Sequence, residues 1–402
     1  METLVAALMA VSGVVLIYVA AYRHRWLLAP LWLAWLLRVG LATVHRYIFA
    51  LPQGGADAKV FDRTGLLWAE HGCFGFFEHF DPSSSYVYSS ILATLYSCFG
   101  YSPLGAQFLN SALGVVAVAL LACATYRLWG VSSAIRAAFV LAAFPSLLVY
   151  SAVTLREAFI LVLFCAAIYA VVRHGQRKGS TWIFWAVVFM SSAALFHGGM
   201  AFGIVGLFLA IAFHAINDSR GNEQARAFKK LLVVGLCALA VALTYFFLDS
   251  IFIPKVGNLA ALDIELVGSV VESRAEGGAA YLSGLAVSSP IDLVWQAPLR
   301  IAYLLFAPFP WNVSSPSHLF GLLDGMIYLF LTIVLFRHRK ILLREKSAGL
   351  ILAILFSLAF VFAFGTSNFG TGMRHRAKFY VALVVLVAPM LGKRRNLIVR
   401  RC

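Results

Sequence analysis

Runs of about 20 apolar residues, the length at which an α-helix crosses the hydrocarbon core of a bilayer, recur along the whole chain, beginning with TLVAALMAVSGVVLIYVAA (3–21). Inside a bilayer every backbone donor and acceptor must be satisfied within the protein, so unbroken apolar runs of this length fold as helices. The composition agrees: 62% of residues are hydrophobic and 12% are charged. The expected fold class is therefore all-α, a polytopic transmembrane helix bundle. Spans are expected near 3–21, 26–50, 104–128, 133–150, 157–172, 181–196, 199–216, 231–251, 318–336, 348–365 and 377–391. That is about eleven crossings, which puts the two termini on opposite sides.

Short cytoplasmic loops collect Lys and Arg, and this bias orients the bundle. RHR (23–25), RHGQRK (173–178), RAFKK (226–230), RHRKILLREK (337–346) and the tail KRRNLIVRRC all fall on one side. Roughly two thirds of the 32 Lys and Arg lie there, with only Asp218, Glu223 and Glu345 of the 17 acids. The net charge of +15 thus reports topology and contact with anionic membrane lipids, and no solvated domain gathers basic residues for a nucleic acid. Residues 1–21 lack a basic leader and a small-residue cleavage site, and read as a retained anchor. The chain divides into this anchor (1–25), a core (26–230) and a C-terminal set of spans (231–402). The six cysteines form no Cys-x-x-Cys, and Cys123, Cys165 and Cys237 read as buried free thiols. No Walker A pattern and no Gly-x-Gly-x-x-Gly following a strand is present, which argues against an ATP-driven pump.

Two outer segments, 51–103 and 252–317, are too long to be mere connectors. In the first, Val60, Phe61, Thr64, Leu67 and Trp68 recur at helical spacing, opposite Lys59, Asp62, Arg63 and Glu70, as in a helix lying in the membrane interface. FGFFEHF (74–80) adds an aromatic belt. YVYSSILATLYSCF (86–99) is too short to span and reads as a second interfacial or re-entrant helix. The second segment holds Asp263, Glu265, Glu272 and Arg274, then PLRIAYLLFAPFPW (298–311), broken by Pro298, Pro308 and Pro310. Broken backbone at membrane depth is tolerated where it lines a cavity, so this element is expected to be a cavity wall.

Charged residues at outer helix ends are the candidates for chemistry. In FPSLLVYSAVTLREAFI (144–160), Arg156 and Glu157 close a short turn between two spans. Glu157 could serve the next helix N-terminus and Arg156 could snorkel to headgroups, or Arg156 could hold a phosphate. LFHGGMAF (195–202) leaves His197 at another outer turn, with a structural role as the alternative to phosphate or acceptor binding. In NFGTGMRHRAKFY (368–380), Arg374, His375, Arg376 and Lys378 crowd the outer start of the last span, against the positive-inside bias. Guanidinium forks suit phosphate oxygens, and headgroup binding is the alternative. Arg38, alone in the second span, must face the bundle interior or a wet cavity. GGADAKVFD (54–62) places Asp57 on glycine-flanked backbone at the cavity mouth, whereas Asp62 belongs to the polar face of the interfacial helix, a solvated bystander.

The order of these features resembles a known family. A span, then GGADAKVF, then interfacial helices, YSPLGAQFLNSALGVVAVALLACATYRLWG (101–130) and FPSLLVYSAVTLRE (144–157) look like the N-terminal half of the GT-C superfamily. More narrowly, they are similar to bacterial relatives of the protein mannosyltransferases and lipid A aminoarabinose transferases. The resemblance covers residues 26 to 200 well and the rest only in layout, through FAPFPW and RHRAKF. It implies a membrane glycosyltransferase of the bacterial inner membrane, its active site facing the periplasm. The donor would be a polyprenyl-phosphate sugar, and the acceptor a glycan, lipid or protein. Asp57 would be the general base, Glu157 would support it, and Arg156, Arg274, Arg374, His375, Arg376 and Lys378 would take the donor phosphate. Three features depart from the family: no Asp-x-Asp or Asp-Glu pair stands in the first outer loop, an extra span precedes the usual first one, and no large domain follows the last.

The residues support the same chemistry on their own. One carboxylate to take the acceptor's proton and several cations to hold the departing phosphate suffice for direct, inverting displacement with neither metal nor cofactor. A polymerase or ligase of lipid-pyrophosphate-linked glycan repeats fits the same cations. A flippase or secondary transporter fits less well, because the ionisable residues concentrate at the outer face and no internal repeat stands out.

Overall fold

The computed structural model describes residues 2–52, 54–73, 80, 86–177, 180–217, 252–253, 257–258, 279–285 and 287–392. Arg274, Asp263, Glu265 and Glu272 of the second long segment, the expected span 231–251 and all of FGFFEHF except Phe80 lie outside these residues. In chain order the helices are α1 (Glu2–Ala21), α2 (Leu28–Tyr47), α3 (Ala56–Trp68), α4 (Val87–Phe99), α5 (Pro103–Trp129), α6 (Val131–Ala142), α7 (Pro145–Ala152) and α8 (Glu157–Arg177). They continue with α9 (Ser180–Phe196), α10 (Phe202–Asn217), α11 (Pro290–Phe306), α12 (Pro316–Leu342), α13 (Lys346–Phe364), α14 (Phe369–Phe379) and α15 (Leu383–Val387). Among the described residues the only strands are a two-residue antiparallel ladder, Phe252–Ile253 with Gly257–Asn258.

Among the described residues six helices, α1, α2, α5, α8, α12 and α13, are long and apolar enough to cross a membrane; α6 and α7 make a seventh if the pair, bent by 54°, is one span. The protein is therefore a membrane-embedded helix bundle. Two expected spans, 181–196 and 199–216, are shorter apolar helices. The expected last span is not one helix. Residues 377–391 run from the end of α14 through a 3-10 turn, α15 and a second 3-10 turn. Val381 to Ala388 are fully buried, so this segment threads the bundle rather than facing lipid.

The bend between α6 and α7 follows from Pro145, which lacks an amide donor and holds the residue before it extended. Arg38 answers the carbonyls freed there. Its Nη1 donates to Ala142 O at 3.1 Å and to Ala34 O at 3.0 Å, and its Nε donates to Ser151 Oγ at 2.9 Å. The buried cation thus caps a helix C-terminus, where the carbonyl dipoles favour it. Gly114 of α5 makes the room: a Cβ there would sit 2.7 Å from Arg38 Nε and 2.8 Å from Ser151 Cβ.

Helices α3 and α4 form a hairpin beside the bundle. Gly65 lets α3 settle onto Leu92 and Ser89, and the Ser89 hydroxyl donates to Phe61 O at 3.0 Å. A Cys73–Cys98 disulfide closes the hairpin. The face that packs carries Ala58, Phe61 and Gly65, while Val60 and Leu67, expected beside Phe61 on one apolar face, are exposed. Asp62 is not a solvated bystander: it accepts hydrogen bonds from Tyr96 Oη at 2.5 Å and Tyr101 Oη at 2.7 Å. Burial and this bond together push the Tyr101 phenol up to about 12. Asp62 therefore ties α3 to α4 and to the start of α5.

Candidate functional site

Four helix-to-helix turns meet at one end of the bundle: the turn after α2, the α7–α8 turn, the α9–α10 turn and the α13–α14 turn. The α7–α8 turn is held by a residue the sequence reading passed over. Asn110, buried in α5, donates through Nδ2 to Val153 O at 2.7 Å, to Leu155 O at 2.9 Å and to Tyr88 Oη at 3.0 Å. A turn leaving one helix and entering another has unpaired carbonyls, and a buried amide supplies donors for them. This fixes Arg156, which precedes α8, and Glu157, which begins it.

Arg374 joins the turns. Its Nε and Nη2 donate to Glu157 Oε1 at 3.2 and 2.8 Å, and its Nη1 donates to Asp57. Lys378 Nζ lies 3.6 Å from the same Glu157 oxygen. The Arg156 guanidinium is buried over the Phe61 ring, 5.4 Å from its centroid. Three basic side chains and two carboxylates from three distant chain segments thus share one field. Burial alone would lower the Arg374 pKa, but Glu157 and Asp57 outweigh it and raise it above the ordinary arginine value. Burial lowers that of Arg156, with Glu157 opposing the shift.

The cluster has an open side and a closed side. Asp57 is 56% exposed, whereas Glu157 is 3% exposed. Asp57 belongs to the first turn of α3, with Gly55 at the N-cap, not to glycine-rich backbone ahead of the helix as expected. Gly54 is required for close approach: a Cβ there would lie 2.3 Å from the His45 ring. Behind Glu157 and Lys378 lies a cavity of about 10 Å³, walled also by Tyr150, Ser151, Leu161 and Ala377. That is room for about one water molecule. Glu157 Oε2 and Tyr150 Oη have no hydrogen-bond partner among the described residues, and both side chains line this cavity.

The basic cluster 374–378 does not converge on one point. At 100° per residue, Arg374 and Lys378 share a helix face, and His375 and Arg376 point elsewhere. His375 meets Thr366 Oγ1 at 2.6 Å through Nδ1, and its ring packs on Phe362 and on His197, at centroid distances of 4.6 and 5.0 Å. Arg376 is fully buried on Asp324 of α12, 2.9 Å away. Its remaining donors reach Leu305 O, Ala307 O and Gly321 O. Two of these are the carbonyls that α11 leaves unpaired at its end, so Arg376 is a structural joint and not a phosphate ligand. Asp324, which also accepts from Ser146 N at 3.2 Å, escaped the sequence reading. A lone acid in the apolar run of α12 was the available signal. Among the described residues no group of three or more His, Cys, Asp or Glu is placed to hold a metal ion.

In comparison with known proteins, no protein-family model and no curated protein sequence matches the chain.

Proposed function

We propose that the protein is an inverting membrane glycosyltransferase that moves a sugar from a polyprenyl-phosphate donor to an acceptor hydroxyl. The observation that carries this reading is the Asp57–Arg374–Glu157 array with Lys378 and Arg156 beside it. It offers an accessible carboxylate next to basic side chains that outnumber the carboxylates. The acceptor oxygen attacks the anomeric carbon as Asp57 takes its proton. The bond from that carbon to the phosphate oxygen breaks, and its electron pair leaves with the polyprenyl phosphate. Arg374, Lys378 and Arg156 balance the charge that develops on the phosphate. In this reading the chain crosses the membrane about eleven times, in a bacterial inner membrane. The cluster faces the periplasm, and α3 and α4 lie in the interface above it. The exposed Val60 and Leu67 of α3 suit that position.

The test is release of polyprenyl phosphate by purified protein from labelled polyprenyl-phosphate sugars, with a polyprenyl-pyrophosphate oligosaccharide as the competing donor. Asp57→Asn is expected to lower turnover by about 10²- to 10⁴-fold, the usual contribution of a general base. Turnover undiminished in that variant overturns the assignment of the base, and turnover of neither donor by wild type overturns the enzyme reading.

A further inference from the structure

We infer that the donor phosphate binds by taking Arg374 Nη1 away from Asp57, so that the carboxylate becomes available as a base only once the donor is in place. This rests on the glycosyltransferase reading and adds to it an order of events.

The two carboxylates on Arg374 are held unequally. Glu157 is 3% exposed and occupies Nε and Nη2 of the guanidinium through a single oxygen, with Lys378 Nζ on that oxygen too. Asp57 is 56% exposed and occupies only Nη1. A solvent-facing ion pair contributes little, whereas removing one partner of a buried pair is costly. An anion arriving from the open side therefore displaces Asp57 and leaves Glu157 in place. Phosphate is suited to do so, because its oxygens accept charge-assisted bonds from guanidinium nitrogens. Arg156 and Lys378 supply the rest of the attraction. Little needs to move: Asp57 stands in the first turn of α3, so a side-chain rotation is enough, and its anion remains favoured there by the helix N-terminus. A carboxylate relieved of a neighbouring guanidinium accepts a proton more readily than one bound to it.

Coupling between two ligands of one site is reciprocal. If phosphate displaces Asp57, removing the charge of Asp57 must tighten phosphate binding, even as it lowers turnover. The experiment is equilibrium binding of a fluorescent short-chain polyprenyl-phosphate sugar, without acceptor, to purified protein at low ionic strength. Four proteins are compared: wild type, Asp57→Asn, Asp57→Glu, which keeps the charge, and Asp62→Asn, which removes one charge from the same helix away from Arg374. Asp57→Asn is expected to bind about 5-fold more tightly or better, and the other two within about twofold of wild type. Affinity unchanged or weakened in Asp57→Asn overturns the displacement while leaving the enzyme reading intact. Equal tightening in Asp62→Asn overturns it too, since the cause is then the general field. Because Asp62 holds two tyrosines, its variant is first checked by thermal unfolding, and if it is unfolded Asp57→Glu alone serves as the charge control. Failure of wild type to bind the polyprenyl-phosphate sugar at all overturns both proposals.

Discussion

Glu157 holds half-buried Arg374 and buried Lys378 on one oxygen, and its replacement is the most direct probe of the cluster. Glu157→Gln keeps the shape but leaves Arg374 and Lys378 without their shared counter-charge, a loss that costs about 3–5 kcal/mol for a buried pair. The variant is expected to unfold at lower temperature in detergent and to lose turnover; wild-type stability would mean that the cluster is held by other contacts. Asn110 acts one step further back. Asn110→Leu strands the Val153 and Leu155 carbonyls, at about 1–3 kcal/mol for an unsatisfied buried group, and is expected to depress turnover by misplacing Arg156 and Glu157. Unchanged kinetics would show that the turn holds itself. At this scale the sequence exposed Asp57, Glu157 and Arg374 as unusual charges for their surroundings, but not which would touch. Asp62 was misread because its two partners, Tyr96 and Tyr101, lie more than thirty residues away and carry no charge to betray the pairing.

Helix α14 is the element on which the site depends, and its roll decides which cation faces Glu157. The stretch RHRAK looks like one basic patch when written out, yet helical geometry spreads it over three faces, only one of which contains both Arg374 and Lys378. That division could have been drawn from spacing alone; the tertiary partners, Asp324 for Arg376 and Thr366 for His375, could not. The Arg376–Asp324 pair, fully buried at 2.9 Å, sets the roll by pinning α14 to α12 and to the end of α11. Arg376→Met alone leaves Asp324 buried and uncompensated and is expected to lose about 3–5 kcal/mol. Adding Asp324→Leu removes the stranded charge as well, and the double variant is expected to recover most of that stability and part of the turnover. Thermal unfolding of the three variants measures this, and a double variant no better than the single one would show that Asp324 does more than balance Arg376. Long straight spans such as α1, α5 and α13 were legible from hydropathy because length and composition alone define them. The segment 377–391 was not, because hydropathy cannot tell a buried, broken path through the bundle from a helix facing lipid.

At the scale of the whole molecule, sidedness decides whether the cluster can meet a periplasmic substrate. In the proposed reading, the bias of basic loops assigns the start of α1, the end of α2 and the start of α5 to the outer side. The structure brings those three points together: Arg46 pairs with Glu2 at 2.9 Å, and the Ser102 hydroxyl donates to Glu2 O at 3.1 Å. Asp57, Glu157 and Arg374 stand at turns that the same rule assigns to that side. The Cys73–Cys98 disulfide belongs to this end as well, and disulfides persist in oxidising compartments rather than in the cytosol. Two arguments with different physics, charge bias and redox chemistry, therefore point the same way, although the pairing itself had no motif to reveal it. Replacing Cys123, Cys165, Cys237 and Cys402 leaves this pair alone, and a membrane-impermeant maleimide applied to intact spheroplasts is then expected to label nothing until an impermeant reductant is added. After reduction both thiols should react. Labelling without reductant would mean that the pair is open in the cell, and labelling only after the membrane is permeabilised would invert the topology and with it the periplasmic site.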